Sequence, residues 1–287
     1  MTTLSQLITG TTIGYGYYKA GATSEAAAIP VTTWYLTGYP PTGFIFTSSI
    51  NGETLTGTSL SNITGMFLCP NPNDSNATKT YLTRWEIAAS PAVAEFVLAD
   101  RLWQNSAISV TTTTEQSITT PLWPERCPSA TGGYENWNAS GHNVMVAMEV
   151  RVATTQTAIL TGVNVGGIKF RYTNSDGVSE RIGSIPLAPA TLTANTFLPF
   201  QLASGDKGVQ SIQGLTIGTS LVAGVVHLVA YREIAKVGCP FNSQLQTLDA
   251  LALGRPELPN GTVPFMYFIP STTTAQNIYG RLEFSTN

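Results

Sequence analysis

Val144-Met145-Val146-Ala147-Met148-Glu149-Val150-Arg151-Val152 decides how this chain folds. Val144, Val146, Met148, Val150 and Val152 share one face of an extended strand. Met145, Ala147, Glu149 and Arg151 share the other, a period of two rather than the helical 3.6. The same period returns where Ile168, Phe170 and Tyr172 alternate with Lys169, Arg171 and Thr173. Asn174-Ser175-Asp176-Gly177 then supplies turn chemistry, and Val178 to Ile185 runs back as the second arm of a hairpin.

Strand patterns recur at short intervals elsewhere in the chain: Tyr81 to Ile87, Glu95 to Trp103, Ile108 to Thr113, Thr196 to Leu202, Gly208 to Ile217, Leu221 to Ile234, Val263 to Ile269 and Asn277 to Phe284. Clusters such as Ser204-Gly205-Asp206 separate them. Many short strands with almost no helical periodicity predict an all-β chain, an antiparallel two-sheet sandwich of jelly-roll type. Two short connecting helices are expected. Ser24 would cap a turn through Glu25 to Ala28, and Asn242 or Ser243 would cap Gln244 to Leu253, which ends at Gly254 before Pro256.

At 287 residues the chain is long enough for one large all-β domain or two small ones. Charged residues are 11% and hydrophobic residues 43%, so neutral polar groups have replaced charge. Thr (41) and Ser (22) make up about a fifth of the chain. A monomer of this mass exposes about 12,000 Å², which gives nearly 400 Å² for each of 31 charged side chains (14 basic, 17 acidic), against about 165 Å² in an ordinary domain. Such a surface is solvated by hydroxyls and amides, or is covered by other subunits, whose contact cores are depleted of charge.

Residues 1–78 differ from 79–287. They carry only Lys19, Glu25, Glu53 and Asp74 as charges but hold Tyr15, Tyr17, Tyr18, Trp34, Tyr35, Tyr39, Phe44 and Phe46. This segment is read as an irregular arm or small subdomain docked on the sandwich or on a neighbour, with Tyr15, Tyr17, Tyr18, Trp34, Tyr35 and Phe44 as candidate interface residues.

A net charge of −3 and the lack of any basic run argue against a direct grip on nucleic acid. The start lacks a positive n-region, and the longest apolar run, Leu221 to Ala230, is too short to span a membrane. Cys69, Cys127 and Cys239 form neither a disulfide framework nor a metal-ligand pattern, so no cofactor or metal is expected. His227 sits mid-strand on a face with Val225, Val229 and Tyr231, the place of a packed histidine, and His142 lies in a turn. Glycoside hydrolysis would need paired carboxylates, for which Glu86 with Asp100, or Glu125 with Glu135, are the candidates. Arg84 and Arg101 stand ready as structural partners for the first pair. The loop Pro121 to Asn143 holds Trp123, Tyr134 and Trp137, a possible surface contact that would stack on sugar rings.

Several stretches carry a resemblance: Trp85-Glu86-Ile87-Ala88 with Asp100-Arg101-Leu102-Trp103, Phe170-Arg171-Tyr172-Thr173-Asn174-Ser175-Asp176-Gly177, and Phe200-Gln201-Leu202 leading to Gly205-Asp206-Lys207-Gly208-Val209-Gln210-Ser211-Ile212. Over roughly residues 80 to 237 the chain resembles structural proteins of tailed-bacteriophage particles. The resemblance rests on strand and turn patterns and transfers no functional residue. It implies a non-enzymatic virion protein made in the host cytoplasm: a capsid decoration or cement protein, or a neck, collar or baseplate element. Expected partners are its own copies, as a homo-oligomer such as a trimer, and a major capsid protein or another virion protein, with no membrane. A receptor- or glycan-binding module of a tail or fibre is the alternative.

Overall fold

In the computed structural model of this chain the described residues are 11–24, 26–40, 53–54, 80–123, 140–155, 167–186, 191–254, 256–259 and 262–286. Their strands are β1 (Thr11–Ala22), β2 (Val31–Thr32), β3 (Gly38–Tyr39), β4 (Glu53–Thr54), β5 (Thr80–Ser90) and β6 (Ala94–Asn105). Then come β7 (Gln116–Ser117), β8 (Met145–Val152), β9 (Ile168–Asn174), β10 (Arg181–Ser184), β11 (Phe197–Pro199) and β12 (Val209–Ile217). The last are β13 (Val225–Cys239), β14 (Gln246–Asp249), β15 (Glu257–Leu258), β16 (Pro264–Pro270) and β17 (Gln276–Thr286).

The chain is all-β and every pairing among the described strands is antiparallel, the sandwich class that the alternation predicts. The described strands form three sheets rather than two. The central one runs β11-β8-β13-β6-β16-β2, with β4 also on β6. A second runs β10-β9-β12-β7, and a third β14-β5-β17-β1-β3, with β15 also on β5.

The central sheet curls almost into a barrel. Val31 of β2 bridges Thr196, the Thr32 amide donates to the Asn195 carbonyl, and the Phe197 amide to the Pro30 carbonyl, so the last strand returns to the first. Its length lets it serve two cores. On its outer surface Met148, Leu228 and Ala230 pack with Phe170, Tyr172 and Leu215 of the second sheet, while Phe96, Leu98, Met266 and Phe268 pack with Trp85, Leu282 and Phe284 of the third. The bulges in the β13–β6 pairing, between Ala230 and Tyr231 and between Glu233 and Ala235, keep apolar residues on the correct side over that long span. Between the two outer cores Asp100 accepts the Val263 amide (2.8 Å) and faces Arg232 (3.7 Å).

The predicted hairpin is β9–β10. Asn174 Oδ1 accepts the amides of Asp176 and Val178 (3.0 and 2.9 Å), and Gly177 takes φ +79°, where an L side chain would be strained. Asp206 clamps the hairpin from outside by accepting Tyr172 Oη (2.5 Å), Asn174 Nδ2 (2.8 Å) and Arg181 Nε (2.9 Å). Burial pushes the Asp206 carboxyl up, but these hydrogen bonds outweigh it and hold it below the usual range.

Neither expected helix forms. Ser24 Oγ donates to the Ala26 and Ile29 carbonyls instead of capping, and Ala28 has φ 63°. Gln246–Asp249 is a strand because the free edge of β5 takes it up, pairing Gln246 with Ile87 and Asp249 with Arg84; an Asx turn on Asp249 follows. The stretch Ile108 to Thr113 is loop rather than strand. Among the described residues of the first quarter, 23–24, 26–30 and 33–37 are irregular, but β1 is a regular strand of twelve residues. β1 pairs with β17 from Thr11↔Thr286 to Ala22↔Gln276, which puts residues 11–22 and 276–286 in one sheet.

Candidate interaction surface

Alternation along β1 sends Tyr15, Tyr17 and Lys19 inward and Gly14, Gly16 and Tyr18 outward. Tyr17 crosses beneath the sheet, donating to the Glu86 carbonyl (2.8 Å) and accepting Trp85 Nε1 (3.0 Å). Gly280 makes room for it: a Cβ there would lie 1.9 Å from the Glu86 carbonyl oxygen and 2.6 Å from Tyr17 Oη. Lys19 is fully buried and donates to the carbonyls of Leu36 (3.1 Å) and Pro40, and burial lowers its ammonium to about 8.

The outward face of this third sheet is open. Register sets Tyr18 opposite both Tyr39 and Tyr279, and Tyr279 opposite Ala88, so a row of aromatic side chains crosses β3, β1 and β17. Tyr18 is 46% exposed and Tyr39 48%. Tyr279 Oη donates to the Ser243 carbonyl (3.3 Å), bringing exposed Phe241 and Leu245 alongside, and Leu251 beyond β14 is 90% exposed. Farther along the same face the charges cancel in pairs, Arg84 with Glu86 and Arg281 with Glu283 (3.2 Å). The Arg281 guanidinium occupies the space over Gly14 that a Cβ would fill.

The inside of the curled central sheet has the opposite character. Trp34 and Tyr35 follow β2 into it and meet Phe197, Tyr231, Phe265 and Tyr267. At one end Arg101 Nη1 and Nη2 donate to Glu149 Oε1 and Oε2 (3.0 and 2.5 Å), and both side chains are fully buried. Arg101 Nε and Nη2 also donate to Gln104 Oε1 (3.0 and 2.5 Å), and the guanidinium lies 4.5 Å from the Trp34 ring. With its oxygen so held, Gln104 turns Nε2 toward His227 Nδ1 (3.0 Å), which also receives Tyr35 Oη (2.7 Å). Nδ1 is therefore the acceptor and the proton sits on Nε2, which finds no partner among the described residues. Burial lowers His227 to about 4, with Arg101 and Arg151 adding to the effect and Glu149 opposing it. Burial alone would raise Glu149, but the Arg101 charge and hydrogen bonds hold it below the carboxylate range.

The residues singled out from sequence scatter. Of the six candidate interface residues, Tyr18 lies open and Tyr15 is half-buried, its ring 6.0 Å from Phe284. Tyr17, Trp34 and Tyr35 are buried within their own chain, because the strand period and the barrel seam turn them inward, so they present no free surface. Phe44 lies outside the described residues, as do Tyr134, Trp137, Glu125 and Glu135. Trp123 is a core residue and not a surface contact: it is 2% exposed, bonds the Val209 carbonyl through Nε1 (2.7 Å) and packs edge-on to Trp103. Glu86 and Asp100 lie in different sheets, and Asp100 faces Arg232 while Arg101 takes Glu149. Among the described residues no group of three His, Cys, Asp or Glu side chains is placed to hold a metal ion. Buried Cys239 is a free thiol, raised to about 11 by burial. Tyr39 and Tyr279 escape a sequence reading as site residues because cross-strand register assembles their face, and Phe241, Leu245 and Leu251 lie in the loops that flank β14.

No protein-family model matches the chain, and no curated protein matches it in sequence. Solved structures with which it aligns include the infectious bursal disease virus VP2 subviral particle, at 9% identity over 96% of this chain and 80% of that one, with a TM-score of 0.18. The T13 particle of the same virus aligns at 9% identity over 96% and 77%, with a TM-score of 0.19. At these scores the alignments carry no argument about fold or function.

Proposed function

We propose that this chain is a structural subunit of a virus particle without turnover chemistry, a decoration or cement protein of a bacteriophage head held by its own copies and by the coat beneath. One observation carries the reading. Lys19, Asp100, Arg101, Glu149 and Arg232 are withdrawn into the interior, so at most 26 of the 31 charged side chains remain for a surface of 11862 Å². That is about 450 Å² per charge, barer than composition alone implies and well beyond the ~165 Å² of an ordinary domain. The open tyrosine face, with its paired and cancelled charges, suits repeated neutral contacts around a symmetry axis. The glycan-binding alternative loses support with the burial of Trp123.

The test is sedimentation of the purified chain, alone and mixed with empty heads that lack it. Self-association above 30.5 kDa and stoichiometric co-sedimentation are expected. A 30.5 kDa monomer at every concentration that leaves the heads bare overturns the proposal.

A further inference from the structure

Strand β1 leaves one of its edges open. Where β1 meets β3 the Ala20 amide donates to the Thr37 carbonyl (3.1 Å), and peptide groups alternate sides along a strand, so those of Tyr18, Gly16, Gly14 and Thr12 point the same way. Those of Lys19, Tyr17, Tyr15 and Ile13 point to β17. β3 covers only Tyr18 to Ala20. It ends at Pro40, which has no amide to continue the ladder and whose carbonyl turns under the sheet to Lys19. Thr12, Gly14 and Gly16 are exposed, and among the described residues nothing bonds their peptide groups on that side.

Such an edge usually carries a lysine, a proline or a bulge that turns other strands away. Thr11 to Tyr18 holds no charge and no proline, and its register with β17 is unbroken as far as Lys19. Lys19, the one charge on β1, is folded inward onto the Leu36 and Pro40 carbonyls and cannot guard the edge. Other outer strands offer less: β7 has 2 residues, β14 has 4, and β10 is bridged through Ser184 to Gln201.

We propose that β1 pairs edge to edge with β1 of a second copy, antiparallel about a two-fold axis through Gly14. The inference rests on the reading that the chain assembles with its own copies, and it names the contact. In this register Gly14 faces Gly14 of the second copy and Thr12 faces its Gly16, so every peptide group on the open side meets its complement. No side chain at Gly14 or Gly16 crowds the joint, and no like charges oppose each other across the axis. The register also fits the limits of the strand. Tyr17 faces Thr11 of the second copy, so the pairing fills the span from the start of β1 to the residue before β3 takes over. The axis stands perpendicular to the sheet, so the third sheet runs on across both copies and their tyrosine faces join on one side.

Hydrogen exchange of the full chain across a range of concentrations, read beside its sedimentation, tests the joint. The Thr12, Gly14 and Gly16 amides are expected to exchange freely in the monomer and to slow by about tenfold or more as the associated form takes over, while the Ile13, Tyr15 and Tyr17 amides stay protected by β17 throughout. Gly16→Pro removes a donor from each end of the joint and leaves the β17 ladder alone, and a Cβ at Gly16 meets nothing nearer than the Gly280 carbonyl oxygen at 3.9 Å. It should weaken association by about tenfold or more, whereas Gly16→Ala, which keeps the amide, should stay within about threefold of wild type. Should the proline variant not fold, the wild-type exchange decides alone. Association that leaves the three amides exchanging freely, or that persists undiminished in Gly16→Pro, overturns the β1 joint and leaves the assembly reading standing on another contact. Protection already present in the monomer gives the edge to this chain's own residues, and protection gained only on empty heads gives it to the coat; either result overturns the joint. A monomer at every concentration that also leaves the heads bare overturns both.

Discussion

The lumen of the curled central sheet and the outward face of the third sheet are built from the same residue types and end in opposite states. Each has tyrosines in a cross-strand group and arginines paired with glutamates. In the lumen Arg101 and Glu149 are fully buried and the chain's own segment supplies Trp34 and Tyr35 as a lid. On the third sheet Arg84 and Arg281 keep about half of their side chains in solvent, and Tyr18 and Tyr39 remain open. A charged pair in the lumen must satisfy itself completely, since each unpaired group there costs several kcal/mol, whereas exposed pairs contribute about 1 kcal/mol or less. The covered region therefore specifies the fold. The uncovered one is available to a neighbour.

The contrast can be broken most forcefully at Glu149. Replacement by Ala leaves Arg101 buried without a counter-charge and should cost about 3–5 kcal/mol, read as a fall in the denaturant midpoint. Glu283→Ala, on the open face, should cost about 1 kcal/mol or less in the same titration. Next in size is Tyr17→Phe, which strips the Glu86 carbonyl and Trp85 Nε1 of one shared partner and should cost about 1–3 kcal/mol.

The buried ammonium of Lys19 makes stability depend on pH. Between about 8 and its ordinary 10.5 the unfolded chain holds a proton that the folded chain has released, so stability rises with pH across that window. Lys19→Met should remove that rise, as measured by denaturant titrations at pH 8 and 10. The smallest change in stability belongs to the double variant Tyr18→Ser with Tyr39→Ser, within about 0.5 kcal/mol of wild type, and yet its self-association by light scattering should fall.

Local patterning made much of the fold legible. The alternation over Val144–Val152, the Asn174–Gly177 turn and the long apolar run into β13 each specify their own element, because strand period and turn chemistry act within a few residues. What stayed hidden depends on partners far away in the chain. Gln246–Asp249 has a helix-compatible sequence that the β5 edge converts to strand. β1 reads as an irregular aromatic stretch until β17, more than 250 residues later, gives it a register. The tyrosine face shares that origin: Tyr18 and Tyr279 are neighbours only once the first and last described strands pair. His227 could be read as a packed histidine, but its hydrogen-bond acceptor role required the positions of Gln104 and Tyr35.

Hydroxyl-radical footprinting of Tyr18 and Tyr39 in the isolated chain and in its assembled form tests most directly whether the bare face is covered. The account predicts that both rings are oxidised readily in the isolated chain and become protected on assembly, while buried Trp103 stays unreactive in both states. Equal oxidation of Tyr18 and Tyr39 before and after assembly would contradict it.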